Sequence, residues 1–277
     1  MAKSKPVFVR KGHEIISAIK ALSDRHPTYQ IFQDFLECSA ISISNCVDWG
    51  ERDKREEKYL QIINKYKPDE QKKLANILTS LVNTLQAQVE NDGYPCDILG
   101  EVFHGLELHN KYHGQFFTPF HICEMMGQMT VGEETQKIIQ EQGYISLCEP
   151  CVGSGGMVIG FAAAMKRKKM DYQNNLCVTA CDIDIKCVHM AYLQLSLYGI
   201  PAVIIHGNSL TLEEWSKWYT PAYMLGMWPL RERRGIGNIA SAVKEKTASE
   251  AQQQSYEVPP AKDVELRLTD SGQYSLL

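Results

Sequence analysis

Hydrophobic positions recur at helical spacing through the first hundred residues of the chain. Apolar side chains fall three and four positions apart in residues 31–43, and the charged segment 51–66 carries an apolar face of its own. Pro68 suits the first turn of a further helix, in which one apolar stripe runs through residues 74–89. We therefore expect residues 1–95 to form a helical region.

The pattern changes near residue 144, where short apolar runs begin to alternate with helical segments. The runs and the helices between them are Tyr144–Cys148, Met157–Met170, Leu176–Cys181, Ile185–Tyr198 and Ala202–His206. This alternation is typical of βαβ units and a parallel sheet. Residues 213–218 hold no apolar run, and we interpret them as helix or loop. The predicted fold class is α/β, with a helical N-terminal region ahead of a Rossmann-like domain.

Composition limits the classes of protein to which the chain can belong. Of its 277 residues, 44% are hydrophobic and 22% are charged, which is ordinary for a globular protein. No run approaches 18 apolar residues and no signal peptide is recognisable, so we expect a cytoplasmic protein without a membrane partner. The net charge of −4 disfavours a strongly basic, self-sufficient nucleic-acid binder, although DNA binding with a partner stays open. Residues 231–277 are polar and predict a disordered tail.

Nine cysteines raise the question of a metal site. Cys148 and Cys151 form a C-x-x-C pair, and Cys177 and Cys181 lie four residues apart. Zinc is one interpretation, and small buried side chains in strands are the other; the second pair lacks zinc-ribbon spacing, which favours the latter. Four histidines cluster further upstream: His104, His109, His113 and His121. No third ligand is evident for a pair of them, so we predict no metal site.

Two segments at predicted strand ends carry candidate chemistry. After the first strand, Glu149-Pro-Cys-Val-Gly-Ser-Gly-Gly156 makes a glycine-rich turn into a helix, an arrangement that lets backbone N–H groups approach a nucleotide. A plain tight turn is the alternative. After the second strand, Asp182-Ile183-Asp184 offers an acid for ribose hydroxyls, although one aspartate could instead only cap the following helix. We assign the ligand role to Asp182.

The order of four motifs resembles a known family. Gly114-Gln-Phe-Phe-Thr-Pro119 is followed by the glycine-rich turn, by Asp182-Ile-Asp184 and by His206-Gly-Asn-Ser-Leu210. This combination resembles the adenine-N6 DNA methyltransferases, and most of all the modification subunits of type I restriction–modification systems. The resemblance covers about residues 95–210 and includes Ile98-Leu99-Gly100. Such subunits also carry a helical domain ahead of the catalytic one.

The resemblance implies S-adenosylmethionine as cofactor and a set of residues around it. Phe117, Thr118 and Pro119 would lie near its methionine part. The glycine-rich loop would contribute Glu149, Gly153, Ser154 and Gly155. The ribose-binding acid would be Asp182, with Ile183 beside the adenine ring, and Asn208 would accept a hydrogen bond from the adenine amino group. The family usually has Asp at the last position. Asn keeps an acceptor oxygen but loses the charge, so we expect weaker cofactor binding.

The family's catalytic motif has no clear counterpart in this chain. These enzymes flip the adenine out of the duplex and hold it with an Asn/Asp-Pro-Pro-aromatic loop after the fourth strand. The nearest segment is Thr220-Pro-Ala-Tyr223, which makes Tyr223 the one candidate for the stacking, catalytic aromatic. Only three of the family's seven strands are recognisable, so the sheet is expected to be incomplete. The outer edge of the first strand would then be bare, and either the segment 219–228 or a partner would have to cover it.

These observations predict three regions and leave the activity open. The regions are a helical part, 1–95, a methyltransferase-like cofactor-binding domain, 96–230, and the tail, 231–277. The leading hypothesis is an S-adenosylmethionine-dependent DNA adenine-N6 methyltransferase that acts on DNA. The alternative is a degenerate subunit that binds the cofactor, a specificity subunit or another modification subunit without catalysis. An unrelated nucleotide-binding enzyme, using NAD for example, would leave the Phe-Thr-Pro segment unexplained.

Overall fold

Helices dominate the part of the chain that precedes the sheet, as the apolar spacing predicts. The structure is a computed structural model and describes residues 12–108 and 116–232, together with two short strands near the C-terminus. Four helices form the N-terminal region: α1 (His13–Lys20), α2 (Thr28–Ser44), α3 (Arg52–Ile63) and α4 (Pro68–Asp92). Pro68 is the first residue of α4, and Gly93 ends that helix in the left-handed conformation.

Three further helices lead from this bundle to the sheet. They are α5 (Ile98–Gly105), α6 (Phe120–Thr130) and α7 (Glu133–Gln142). Asp97 caps α5, since its side chain accepts a hydrogen bond from the backbone N–H of Gly100. Pro119 stands at the N-cap of α6. The Phe-Thr-Pro segment therefore leads directly into α6.

The sheet confirms the predicted βαβ pattern. Its elements are β1 (Ile145–Glu149), α8 (Gly156–Arg167), α9 (Tyr172–Asn175), β2 (Leu176–Asp182), α10 (Ile185–Leu197), β3 (Ala202–Asn208), β4 (Glu213–Tyr219) and α11 (Pro221–Leu225). Strands β1, β2 and β3 are parallel and adjacent in that order. The α/β fold class is therefore correct, with a helical N-terminal region ahead of a short, mostly parallel sheet.

The interpretation of residues 213–218 as helix or loop is wrong. They lie in β4, which pairs antiparallel with β3 and forms one edge of the four-stranded sheet. An antiparallel edge strand is half exposed and needs no continuous apolar run. Trp218 is the buried member of this strand, and the guanidinium of Arg55 lies 4.3 Å from the centre of its ring. Arg55 also donates to the backbone carbonyl of Lys217, so α3 holds β4 directly.

Most buried apolar side chains join in one core that includes the helical region and one face of the sheet. Val178, Ala180 and Ile204 point to this helix-covered face and are fully buried. We call the other face of the sheet the open face, because Cys148 and Thr179 are exposed on it. Parallel sheets ordinarily have both faces covered. The open face is therefore an unusual feature of the described sheet.

The other edge of the sheet is formed by β1. Within residues 12–108 and 116–232, β1 pairs with β2 alone, so no described strand covers its outer edge. The segment 219–228 packs instead on the open face near the amino ends of the strands. There Trp228 meets the ring of Tyr144 edge to face at 5.2 Å, in a small cluster with Cys177 and Tyr223.

Residues 233–277 form a separate unit. Only β5 (Leu266–Leu268) and β6 (Tyr274–Leu276) of it are described, and they pair antiparallel. The predicted disorder of the tail otherwise concerns residues outside the described ones and stays a prediction. Among the residues that the structure describes, none of the helices has the length and apolar character needed to cross a membrane.

Candidate functional site

The glycine-rich loop joins β1 to α8 at the carboxyl edge of the sheet. Gly153 and Gly155 have φ angles of +55° and +95°, which side-chain-bearing residues rarely adopt. A Cβ on Gly153 would lie 3.1 Å from Cδ1 of Phe117, so the ring of the Phe-Thr-Pro segment rests against the loop backbone. Two of the motifs recognised in the sequence are thus in contact.

Asp182 ties this loop to the end of β2. One carboxylate oxygen accepts from the backbone N–H of Gly153 at 2.9 Å, and the other accepts from the N–H of Asp184, also at 2.9 Å. Burial raises the pKa of the Asp182 carboxyl, while these backbone donors act in the opposite direction. Asp184 is the N-cap of α10, where it accepts from the N–H of Lys186. Asp184 therefore takes the capping role that the sequence left open, and the ligand role of Asp182 stays a prediction.

Close helix packing brings the Phe-Thr-Pro segment to the loop. Helices α6 and α8 cross at Gly127 and Gly160, where a Cβ on Gly127 would lie 2.5 Å from the carbonyl oxygen of Gly160. Phe117, Thr118 and Pro119 immediately precede α6 and are carried along with it. The ring of Phe117 also packs on Phe103, with centroids 4.7 Å apart. Gly114 and Gln115 of the motif lie outside the described residues.

The remaining predicted cofactor residues differ in how their side chains are used. Glu149 accepts from the N–H of Cys151 at 3.1 Å and so shapes the start of the loop. Ser154 is 2% exposed and points inward, away from the loop surface. Ile183 is 62% exposed beside Asp182, as a residue that meets a ligand ring requires. The oxygen of the Asn208 side chain accepts from the N–H groups of Leu210 and Thr211, at 3.0 and 3.4 Å.

Tyr223 lies apart from these residues. Because β4 runs antiparallel to β3, the chain after Tyr219 emerges at the amino end of β3, opposite the glycine-rich loop. Tyr223 is 6% exposed there, and its hydroxyl donates to Glu232 at 2.7 Å. Burial, reinforced by Glu232, raises the pKa of the phenol. The structure does not bring Tyr223 together with the proposed cofactor residues.

The Thr that occupies the place of the family's Asn has a structural use. The Thr220 hydroxyl is fully buried, accepts from the N–H of Ala202 and donates to the carbonyl of Ile200, both at 2.9 Å. It also caps α11, which Pro221 begins. Thr220 therefore anchors the start of β3.

Possible metal ligands do not gather in the described part of the chain. Across 12–108 and 116–232, no three His, Cys, Asp or Glu side chains are placed to hold an ion. Cys148 and Cys151 are exposed, whereas Cys177 is buried. His109 and His113 lie outside the described residues.

A buried polar network that the sequence did not reveal supports the loop. Asp97 and Gln194 are 3% and 0% exposed, and both hydrogen-bond Ser154. The local signal for Asp97 was its position three residues before Gly100, ahead of an apolar helix, which is typical of an N-cap. Nothing local indicated Gln194, which lies in the middle of α10.

Known proteins resemble this chain in structure and in a family model. Among solved structures, the chain is similar to the methyltransferase subunit of a type I restriction-modification system from Streptococcus thermophilus, with a TM-score of 0.35 and 15% identity over 73% of this chain and 60% of that one. The chain thus spans only about three fifths of that subunit's length. No curated protein sequence matches the chain. Residues 96–225 match the family model described as N-6 DNA Methylase, which confirms the resemblance that the motif order indicates.

Proposed function

We propose that the chain binds S-adenosylmethionine at the carboxyl edge of β1–β3 and serves in adenine-N6 methylation of DNA, as modification subunits do. The observation that carries the proposal is the geometry of Asp182 and Ile183 beside the glycine-rich loop. A carboxylate has about four acceptor sites. The backbone N–H donors of Gly153 and Asp184 leave capacity at Asp182 for ribose hydroxyls. The exposed side chain of Ile183 suits an adenine face.

The other proposed contacts follow from the same edge. The ring of Phe117 contacts the loop, and together with Thr118 and Pro119 it would border the methionine part. Gly153 and Gly155 keep the backbone open to a ligand at the N-terminus of α8, where the helix dipole favours an anionic group such as a carboxylate. When bound, S-adenosylmethionine would supply an electrophilic methyl group. Asn208 would share its oxygen between the hairpin turn and the adenine amino group, so we expect weak binding.

Calorimetric titration with S-adenosylmethionine tests the site. We expect the Asp182→Asn variant to bind about ten- to a hundredfold more weakly, because it loses a charged acceptor for hydroxyl donors. Asp171→Asn is the matched control, since Asp171 is the N-cap of α9, Asn caps a helix as well as Asp, and the residue lies outside the proposed contacts. A wild-type protein that binds NAD and not S-adenosylmethionine would overturn the proposal in favour of another nucleotide enzyme.

A second candidate function is cofactor binding without independent catalysis. The sequence holds no Asn/Asp-Pro-Pro-aromatic segment, and its nearest approach, 220–223, lies at the wrong end of the strands. The uncovered edge of β1 and the open face, as far as the chain is described, favour a partner chain such as another modification subunit or a specificity subunit. Either function would be exercised on DNA in the cytoplasm.

Labelled-methyl transfer to unmethylated genomic DNA separates the two candidates. Transfer by the purified chain alone would support the first candidate and refute the second. Cofactor binding without transfer, with co-purification of a restriction–modification subunit, would support the second. A strictly monomeric protein that methylates DNA would exclude any need for a partner.

A further inference from the structure

Asp97 occupies a buried position between three elements of the fold. Its Oδ1 accepts from the backbone N–H of Gly100 and from Nε2 of Gln194, both at 2.8 Å. Its Oδ2 accepts from the hydroxyl of Ser154 at 2.5 Å. The side chain therefore links the start of α5 and the middle of α10 to the glycine-rich loop, although it reaches no surface of the proposed cofactor site.

Gln194 completes the link with every hydrogen-bonding group of its amide. Its Oε1 accepts from the N–H groups of Ile98 and Leu99 at 2.9 and 3.0 Å. Because backbone N–H groups can only donate, these contacts fix which end of the amide is oxygen. The amide nitrogen then donates to Asp97 and to the carbonyl of Ser154, the latter at 2.8 Å. A fully satisfied buried network of this kind specifies one arrangement.

Two glycines make room for the Asp97 carboxylate. A Cβ on Gly100 would overlap Asp97 Oδ2, and a Cβ on Gly156 would lie 3.1 Å from the same oxygen. Gly156 is the first residue of α8, so the carboxylate sits directly under the turn in which the loop becomes a helix. The space for Asp97 is thus provided by glycines of α5 and α8, at the start of each helix.

We infer that Asp97 and Gln194 are positioning residues that set the cofactor affinity of the glycine-rich loop from beneath it. Asp97 holds the side chain of Ser154 and Gln194 holds its backbone carbonyl, so the loop between Gly153 and Gly156 is fixed in its ligand-accepting conformation before a ligand arrives. This preorganisation lowers the entropic cost of binding. The inference rests on the proposed function for its effect on affinity, but the ordering of the loop can be measured independently.

The decisive variant is Asp97→Asn, which keeps the shape of the side chain and one acceptor oxygen. It replaces the charged acceptor of the Ser154 hydroxyl with an amide N–H group, and a hydrogen bond to a charged group is worth roughly tenfold or more in an equilibrium constant. We expect S-adenosylhomocysteine, used as the calorimetric probe, to bind about tenfold more weakly. Asp97→Ala, which also orphans the Gly100 and Gln194 donors, should weaken binding further than Asp97→Asn.

Asp34→Asn is the matched control. Asp34 is 2% exposed and accepts from the hydroxyl of Tyr66 at 2.9 Å and from the amide of Gln30 at 2.8 Å, within the helical region. We expect this variant to be destabilised in urea while binding the probe within about twofold of wild type. An equal weakening of binding in both variants would show a general effect of instability and overturn the inference.

Hydrogen exchange of the loop amides supplies the independent readout. Asp97→Asn should accelerate exchange at Gly153 and Gly155, and Asp34→Asn should not. If the wild type binds no probe but Asp97 still protects these amides, the proposed function fails and the positioning role stands. If exchange and binding are unchanged in Asp97→Asn, the inference is wrong. Ser154→Ala removes the link from the loop side and gives the same test should Asp97 variants fail to fold.

Discussion

The crossing of α6 and α8 at Gly127 offers the sharpest test of how the site is positioned. A Cβ at residue 127 would lie 2.5 Å from the oxygen and 2.7 Å from the carbon of the Gly160 carbonyl, and 3.0 Å from the nitrogen of Phe161. All three atoms belong to the backbone, so no side-chain rotation can relieve the overlap. Gly127→Ala must therefore push the helices apart.

The size of the effect follows from two opposing contributions. Ordinary contacts of a Cβ begin near 3.4 Å, so the helices have to separate by about 1 Å, which forfeits up to half of each dispersion contact across the crossing. Overpacking of this kind costs about 1–3 kcal/mol. Alanine recovers about 1 kcal/mol through its higher helix propensity. We expect a net loss of up to about 2 kcal/mol in the free energy of unfolding.

Urea unfolding of Gly127→Ala and Gly50→Ala measures this loss against a matched substitution. Gly50 is exposed, and a Cβ added there would lie 3.8 Å from its nearest neighbouring atom, so alanine at this position should leave stability unchanged or raise it by up to about 1 kcal/mol. Separation of α6 should also lift Phe117 off the loop and weaken binding of S-adenosylmethionine. A Gly127→Ala protein that is about 1 kcal/mol more stable than wild type, the full gain from helix propensity, would refute the close crossing.

Two further predictions concern groups away from the loop. Burial, followed by the charges of His206 and Arg55, lowers the pKa of His189 from 6.5 to about 3. As the pH falls, the unfolded chain therefore takes up this proton before the folded one, and the free energy of unfolding should fall by about 2 kcal/mol between pH 7.5 and 5. Urea midpoints measured at the two pH values should show a much smaller loss in His189→Gln. An equal dependence of stability on pH in wild type and His189→Gln would contradict a buried, neutral His189 ring. Tyr223→Phe removes the hydrogen bond to Glu232 and should lower the free energy of unfolding by about 1–2 kcal/mol, while cofactor binding measured by calorimetry stays unchanged. Loss of binding at unchanged stability would show that Tyr223 takes part in the site.

The parts of the fold that could be predicted are those in which burial leaves a local pattern. β1, β2 and β3 are recognisable as short apolar runs because they belong to a parallel sheet, and the glycines between β1 and α8 mark a turn that needs positive φ angles. The charged strand β4 leaves no such pattern. Its position depends on pairing with β3 and on the hydrogen bond that Arg55 donates to Lys217 from about 160 residues away in sequence.

The site was predictable to the extent that its residues lie next to strand ends. Asp182 is the last residue of β2 and Gly153 follows β1, and parallel strands bring their carboxyl ends to one edge. The contact between Asp97 and Gln194 spans 97 positions, and no local spacing reveals it. The engagement of Asn208 in the hairpin turn was also hidden, since it depends on a turn that places Leu212 at a φ of +60°.

Strand direction separates the proposed cofactor residues from the segment that most resembles the family's catalytic motif. In a parallel sheet each crossover returns the chain to the amino end, so every new strand delivers its following loop to the carboxyl edge. After β3 this chain instead turns back as β4, which carries Thr220 and Tyr223 to the amino end. No side-chain substitution in 220–223 could then place a base-holding group beside Asp182. A base-holding loop beside Asp182 would have to follow another strand parallel to β1, and the outer edge of β1 is where such a strand would pair.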